Sequence, residues 1–427
     1  MTRVGLLFPG QGSQYAGMGK SLAERYPVAR ETFEEASDAL GWNVLRLCAD
    51  GDLAELTETE NAQPAILTHS VAAFRVLTEE GAIRPAIGAG HSLGEFSALA
   101  CSGAIAFADA VKLVRKRGEF MQAAARSGSG GMAAVGGISG ERLEKLLLQA
   151  SEADSIVVLA GINSPDQRTV SGHRDALGRL EKLLSDTDAD ASADSPVRFT
   201  PLNVSAAFHS PCMEEASERL REQLEACVFQ APRWPVLSNV TGRPHDGDPG
   251  SLIRLLTAQM TEPVRWLSCM ETMLAFGADQ TVETGPGRVL TRLWKSFAPN
   301  ADAWPADDST ELANRLGRRL GLSEPTRGSA AAFLPRCLGI AAATRNRNAD
   351  PDAYRRGVLE PYREVEKLAR TGSVPTEDEL RLGWDMLQSV FDTKGTEPEE
   401  RLFRLSGLIE ETGTSHLFTF NKGGVAK

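Results

Sequence analysis

Val4-Gly-Leu-Leu-Phe8 is an unbroken apolar run closed by Pro9-Gly10, the pattern of a short buried strand ending in a turn. Over residues 21–49 the pattern is helical. A second helix is expected over 65–80, opening just after Pro64, with Val71, Phe74 and Leu77 spaced to bury one face. Residues 86–89 read as a brief strand of small residues that runs into Gly90-His-Ser-Leu-Gly94. A helix should follow, then another over 107–125.

Ser127-Gly-Ser-Gly-Gly131 breaks the chain, and its texture then changes. The pattern predicts strand 132–135, helix 141–150, strands 156–162 and 168–171 around an Asn163-Ser-Pro-Asp turn, helix 174–184 and strand 197–204. That βαββαβ order is the split unit of a ferredoxin-like fold. It looks inserted, because strand–helix alternation resumes with helix 213–224, strand 236–240, helix 252–260 and strand 280–283. Such alternation argues a largely parallel sheet with helices on both faces. Leu322-Ser-Glu-Pro-Thr-Arg-Gly-Ser329 reads as a linker. Beyond it no strand is expected. Thr376-x-x-Glu379 and Thr396-x-x-Glu399 are both capping boxes opening helical runs, the second with an apolar stripe of Leu402, Phe403, Leu405, Leu408 and Ile409. Leu359-Glu-Pro361 should break or kink a helix. Trp384, Phe391 and Phe403 read as core.

A chain of 427 residues with 42% hydrophobic and 24% charged residues is long and balanced enough for two or three packed units, not for a disordered chain. The formal net charge of −11 without a basic tract argues against general nucleic-acid binding. Residues 331–427 hold 14 basic and 15 acidic side chains, so nearly all of that charge belongs to what precedes them. None of the six cysteines forms a CxxC, so neither a metal site nor a redox pair is signalled, and scattered thiols suit the reducing cytoplasm. The first apolar stretch is too short for a secretion signal, and no run of about 18 apolar residues is present to span a membrane.

Gly90-His91-Ser92-Leu93-Gly94 fits G-x-S-x-G between a strand and a helix, the setting a nucleophile elbow needs. Small residues at both ends allow the sharp turn that lifts a serine hydroxyl clear of the sheet. The Leu93 amide and the positive end of the following helix then face an oxyanion position. The plain alternative is a glycine-rich turn with an incidental serine. A serine nucleophile needs a base. Of His69, His91, His173, His209, His245 and His416, position favours His209, which follows a predicted strand where the main sheet resumes. His91 adjoins the serine, but neighbouring side chains diverge at a sharp turn. His69 sits in a helix, His245 in a polar loop and His416 in the tail. For His209 the alternative is a satisfied structural histidine.

Phe8-Pro-Gly-Gln-Gly-Ser-Gln14, Gly90-His-Ser-Leu-Gly-Glu95, Arg117-Gly118, Phe208-His-Ser210, Pro263-Val-Arg-Trp266 and Glu283-Thr-Gly-Pro-Gly287 occur in that order. Asn163-Ser-Pro-Asp-Gln-Arg-Thr-Val-Ser-Gly172 adds a further segment. Together, over about residues 3–310, they resemble the malonyl-CoA:acyl carrier protein transacylase family, which also supplies the acyltransferase domains of polyketide synthases. The fold class expected is α/β: an α/β-hydrolase-like large subdomain at 1–127 and 205–320, an inserted ferredoxin-like small subdomain at 128–204, and a helical C-terminal extension at 331–427.

The resemblance implies ping-pong transfer from malonyl-CoA, through an ester on Ser92 with His209 as base, to the phosphopantetheine thiol of an acyl carrier protein. It implies an oxyanion hole from the amides of Gln11 and Leu93, and a histidine oriented by a main-chain carbonyl near Gln259. It also implies pocket and supporting roles for His91, Phe208, Gln259, Gln63 and Asn163. No metal or cofactor is expected; malonyl-CoA is a substrate, and the phosphopantetheine arm belongs to the carrier. Arg117 adds a physical argument, since a planar guanidinium binds a carboxylate bidentately, and one buried against that group would reject acetyl. Lys112 and Lys116 read as solvated surface. Phe208 matches the malonyl version of the motif and would narrow the space beside the α-carbon, where methylmalonyl homologues tend to carry tyrosine-alanine-serine. Arg288, Arg292 and Lys295 share a helix face that is either solvated or docks an acidic carrier. The extension suggests a discrete enzyme serving a polyketide assembly line. An editing acyl hydrolase and a non-catalytic carrier-binding scaffold are the competing readings.

Overall fold

A computed structural model describes residues 4–79, 83–127, 130–188, 196–204, 206–278, 280–307, 330, 333–344, 346–348, 350–369, 375–414 and 417–418. The expected linker at 322–329 and His416 lie outside them. The chain divides into two compact units, Met1–Val76 with Ile83–Ser309, and Leu77–Ala82 with Thr310–Lys427. Among the described residues no helix is long and apolar enough to cross a membrane.

Among its described residues the first unit holds nine strands: β1 Val4–Phe8, β2 Pro85–Gly90, β3 Gly130–Gly136, β4 Val157–Ser164, β5 Gln167–His173, β6 Arg198–Pro201, β7 Val236–Leu237, β8 Gln280–Glu283 and β9 Asp302–Pro305. Its helices are α1 Lys20–Arg25, α2 Pro27–Leu40, α3 Val44–Asp50, α4 Leu53–Thr57, α5 Thr59–Glu79, α6 Leu93–Ser102, α7 Phe107–Ser127, α8 Gly140–Ala150, α9 Arg174–Asp188, α10 Glu214–Glu225, α11 Pro249–Ala258, α12 Trp266–Ala275 and α13 Val289–Phe297.

Five strands form one sheet in the order β7-β2-β1-β8-β9, every neighbouring pair parallel. A parallel sheet is covered on both faces, which is why β1 reads as continuous apolar sequence and is buried throughout. Trp266 and Trp294 pack with Leu7, Ile87 and Ala89 in one core cluster of this sheet. The order 2-1 in the middle brings the C-terminal ends of β1 and β2 side by side, with Phe8 opposite Gly90. The other four strands form an antiparallel sheet, β4-β5-β3-β6. One of its faces is closed by the apolar sides of α8 and α9, through Leu143, Leu147, Leu177 and Leu180.

Several elements differ from the pattern reading. The helical stretch 21–49 resolves into three helices, because Pro27 opens α2 and Gly41, with φ 77°, closes it. Pro64 lies inside α5 and does not begin it. A proline cannot donate to the carbonyl four residues back; that carbonyl, Glu60 O, accepts instead from Arg115 Nη1 at 3.0 Å. Strand β9 was not expected; its Asp302-Ala-Trp-Pro sequence is too short to show a period.

The described part of the second unit is helical, with no strand. Helices Phe333–Ala343, Glu360–Ala369, Glu377–Lys394 and Pro398–Thr412 enclose Phe333, Trp384, Phe391 and Phe418. The Thr376/Glu379 capping box forms. The Thr396 box does not: Glu397 is the N-cap and Pro398 opens the helix, since proline is pre-set for the first helical position. Leu405, Leu408 and Ile409 are buried, but Leu402 and Phe403 are exposed, so Phe403 is not core. Pro361 follows a π-helical turn, Arg355–Leu359, and the carbonyl it frees, Gly357 O, accepts from Ser389 Oγ at 2.9 Å. Buried Lys394 donates to Ala341 O and Thr344 O, closing the end of helix Phe333–Ala343.

Candidate active site

The parallel sheet delivers four loops to one edge, the carboxyl ends of β1, β2, β7 and β8, where open α/β sheets place their ligands. The β2 loop carries Ser92 at φ 52°, ψ −105°, a conformation disfavoured for a residue with a Cβ. Glycines make the turn possible. A Cβ on Gly90 would overlap the Gly94 carbonyl, and one on Gly94 would overlap Phe8 O in β1. The turn is held further by Asn239, just past β7. Its Oδ1 accepts from Ser92 N–H at 2.6 Å and its Nδ2 donates to Gly90 O at 2.7 Å. Leu93 begins α6, so the positive helix end lies beside the serine.

His209 comes from the segment after the antiparallel sheet, also with positive φ, 56°. Its Nε2 lies 2.8 Å from Ser92 Oγ, and its Nδ1 lies 2.7 Å from Gln259 O. A carbonyl only accepts, so Nδ1 carries the proton and Nε2 is left with a lone pair toward the hydroxyl. Burial, aided by the nearby Arg117 charge, lowers the His209 pKa from 6.5 to about 3, against the pull of the Gln259 carbonyl. The imidazole is therefore a free base across the neutral range. The stability sign is opposite to that of an ion-paired histidine: as pH falls below 6.5 the unfolded chain takes up this proton first, and stability falls.

Arg117, on α7, is 1% exposed. Its Nη1 donates to Gln63 Oε1 at 2.9 Å, and its Nη2 to Gln259 Oε1 and Ser92 Oγ, each at 3.0 Å. All three acceptors are neutral, and the buried Nε–H has no partner among the described residues. Burial brings its pKa down to about 10, partly offset by the Glu95 charge, so it stays cationic at neutral pH. A desolvated cation with a spare donor beside a serine is a receptor for an anion.

His91 takes partners of its own: its Nε2 meets Asn163 Oδ1 at 2.9 Å, and its ring lies 5.5 Å from that of Trp266. Burial lowers its pKa, the Asn163 bond opposing this. Phe208 is buried. Gln11 is half-buried in the β1 loop, with Nε2 on Thr59 Oγ1 at 3.1 Å. Gln63 and Gln259 are wholly buried. Lys116 is exposed and pairs with Glu119; Arg288, the N-cap of α13, and Arg292 and Lys295 within it are exposed. Among the described residues no group of three or more His, Cys, Asp or Glu could hold a metal ion.

Three residues of the network escape sequence reading: Glu95, Asn239 and His245. Glu95 sits in the first turn of α6, wholly buried, with His245 Nε2 at 2.8 Å, Asn239 N at 3.0 Å and Gln259 Nε2 at 2.7 Å. His245 lies in the expected polar loop, with its own side chain buried against this carboxylate. The available signal was a glutamate placed among Leu, Phe, Ala and Leu in an otherwise apolar helix.

Residues 6–304 match the family model described as an acyl transferase domain. A malonyl CoA-acyl carrier protein transacylase of Bacillus subtilis is 43% identical over 312 residues, 73% of this chain and 76% of that protein. The crystal structure of an acyl carrier protein S-malonyltransferase from Vibrio cholerae aligns with TM-score 0.69 and 39% identity, over 73% of this chain and 99% of that one. A malonyl-transacylase solved with its type II polyketide-synthase acyl-carrier protein aligns with TM-score 0.70 and 36% identity, over 74% and 100%.

Proposed function

The chain belongs to the acyl transferase domain family, as a malonyl-CoA:acyl carrier protein transacylase, and we propose that it works by a ping-pong route through a malonyl ester on Ser92. The observation that carries this is the Ser92 hydroxyl held between a neutral imidazole at 2.8 Å and a buried guanidinium at 3.0 Å.

Malonyl-CoA brings a thioester carbonyl and, one methylene away, a carboxylate. That short separation requires the anion receptor to sit almost on the nucleophile, as Arg117 does. His209 Nε2 takes the Ser92 proton while Oγ bonds to the thioester carbon. The oxyanion is met by the Leu93 and Gln11 amides and the end of α6. The C–S bond then breaks, and the leaving sulfur takes the proton back from Nε2. In the second half the carrier's thiol gives its proton to Nε2 and its sulfur attacks the ester. The C–O bond to Ser92 breaks and Oγ recovers the proton. Through both halves the Nδ1–H bond to Gln259 O supports the transient imidazolium.

The carrier is the acceptor by likeness to a relative solved with one. That relative's polyketide synthase also supports a polyketide role, as does the helical extension beyond the matched residues 6–304. Strand order β4-β5-β3-β6 supports a ferredoxin-like small subdomain at 128–204, and the parallel sheet with its Ser92 elbow supports an α/β-hydrolase-like core at 1–127 and 205–320. Six free cysteines accord with a cytoplasmic setting. The burial of Phe208, Asn163 and Gln63, and the bond of half-buried His91 to Asn163, support roles for them as pocket walls. A hydrolase clearing varied acyl groups would gain nothing from Arg117.

Incubation with malonyl-, methylmalonyl-, succinyl- and acetyl-CoA, followed by intact-protein mass spectrometry, tests the reading. Malonyl is expected as the dominant adduct, discharged by a carrier protein and not by water. Equal labelling by acetyl, or release of free malonate as the main product, would overturn it.

A pH profile tests the base. The acid limb of kcat/KM reports the free enzyme. It should stay level down through pH 6.5, because depressed His209 remains unprotonated there. A limb centred at 6.5 would remove His209 from the role of buried base.

A further inference from the structure

We infer that Glu95 is a positioning residue that sets the malonyl preference of Arg117 by fixing the orientation of the Gln259 side-chain amide, an inference that rests on the malonyl reading above. Gln259 stands between a group that only donates and a group that only accepts. Arg117 has five N–H donors and no acceptor, and an ionised carboxylate has acceptors alone. Glu95 Oε2 takes Gln259 Nε2–H at 2.7 Å, which turns Oε1 toward Arg117 Nη2 at 3.0 Å. With the amide reversed, its NH2 would face the cation and its oxygen the carboxylate, two repulsive contacts in a site closed to water.

The carboxylate is itself fixed. Oε2 also accepts from Asn239 N, and Oε1 from His245 Nε2, and both the glutamate and histidine side chains are fully buried. Gln259 Nε2 in addition reaches Ser92 O at 3.1 Å. Glu95 thus holds the guanidinium indirectly: a settled Gln259 oxygen pins Nη2 where it can also reach Ser92 Oγ. Glu95 touches neither substrate nor the reacting atoms. Its link to Asn239 additionally supports the elbow, so its loss lowers turnover of every acyl group. Only the Gln259 link discriminates between acyl groups, and the selectivity ratio isolates it.

The test compares kcat/KM for malonyl- and acetyl-CoA in purified full-length wild type, Glu95→Met and Glu95→Gln, each checked by circular dichroism. Methionine fills the space but offers no strong acceptor. It should lower the malonyl:acetyl ratio about tenfold or more, in keeping with loss of a hydrogen bond to a charged group, chiefly through a raised KM for malonyl-CoA. Glutamine can still present an oxygen to Gln259, and should hold the ratio within about twofold of wild type while lowering the absolute rate. A folded methionine variant whose two substrates fall together, ratio unchanged, makes Glu95 merely structural and overturns the inference. A ratio lost equally in the glutamine variant assigns the effect to charge, and overturns it too. Should the methionine variant not fold, Glu95→Asp, which withdraws the carboxylate by one methylene, takes its place with the same criterion. A wild type with no preference for malonyl removes the functional reading and this inference together; a selective wild type with an unchanged Glu95→Met ratio removes only this one.

Discussion

Replacing Ser92 with alanine should abolish the covalent malonyl adduct and lower carrier loading by about 10⁴-fold or more, the scale on which serine nucleophiles are lost. The expectation follows from what the substitution leaves behind. The turn keeps its φ of 52°, which alanine tolerates no worse than serine. Asn239 still accepts from the backbone N–H at this position, because that bond does not involve the hydroxyl. His209 Nε2 and Arg117 Nη2 lose a shared partner, but the imidazole keeps Gln259 O through Nδ1 and the guanidinium keeps Gln259 Oε1 through Nη2. The variant should therefore fold, bind malonyl-CoA and do nothing with it. Intact mass after incubation, beside a calorimetric titration with malonyl-CoA, reads both halves. A persistent adduct would move the nucleophile elsewhere.

The second large effect is expected at Arg117. Arg117→Ala removes the only charge described as touching the Ser92 hydroxyl, and should lower kcat/KM for malonyl-CoA by about 10²- to 10³-fold, as expected when one member of a buried charge pair is removed. Acetyl-CoA makes no use of the guanidinium, so its relative use should rise. A buried cation needs an anion, and an acetyl group leaves that need unmet; alanine abolishes the penalty along with the attraction. Gln63 Oε1 and Gln259 Oε1 each lose a donor, so some stability should go as well. Competition between the two thioesters for one enzyme sample gives the ratio directly. A malonyl preference unchanged in the alanine variant would show that something other than Arg117 reads the carboxylate.

Much of the scaffold is legible because it is local. The strand at Val4–Phe8, the glycine-flanked elbow, the βαββαβ order and strand Gln280–Glu283 each announce themselves through neighbouring residues. The errors arise where a distant group overrides a local rule. Pro64 does not begin its helix, because Arg115, far along the chain, takes over the orphaned Glu60 carbonyl. At Pro361 the expected disturbance does occur, as a π turn ending at Leu359, and Ser389 takes up the freed carbonyl. Thr396 loses its cap to the proline two residues on, and Phe403 faces outward because it stands two and five positions before buried Leu405 and Leu408, on the other side of the helix.

The sequence by itself determined the family and the groups of the proposed chemistry: a serine on a sharp turn, a histidine after a strand and an arginine suited to an acid, in motifs whose order names a family. It could do so because each group's identity and its immediate flanks set what it can donate, accept or attack. Tertiary structure alone decided the arrangement. Residues 25, 117, 142 and 164 positions apart meet within hydrogen-bond distance around Ser92, Arg117 and Glu95. A hydrogen bond is satisfied by distance and angle in space, and no period along the chain records which far-off partner will supply it. That is why Glu95, Asn239 and His245 emerged only once the β2 and β7 loops were folded to the same edge.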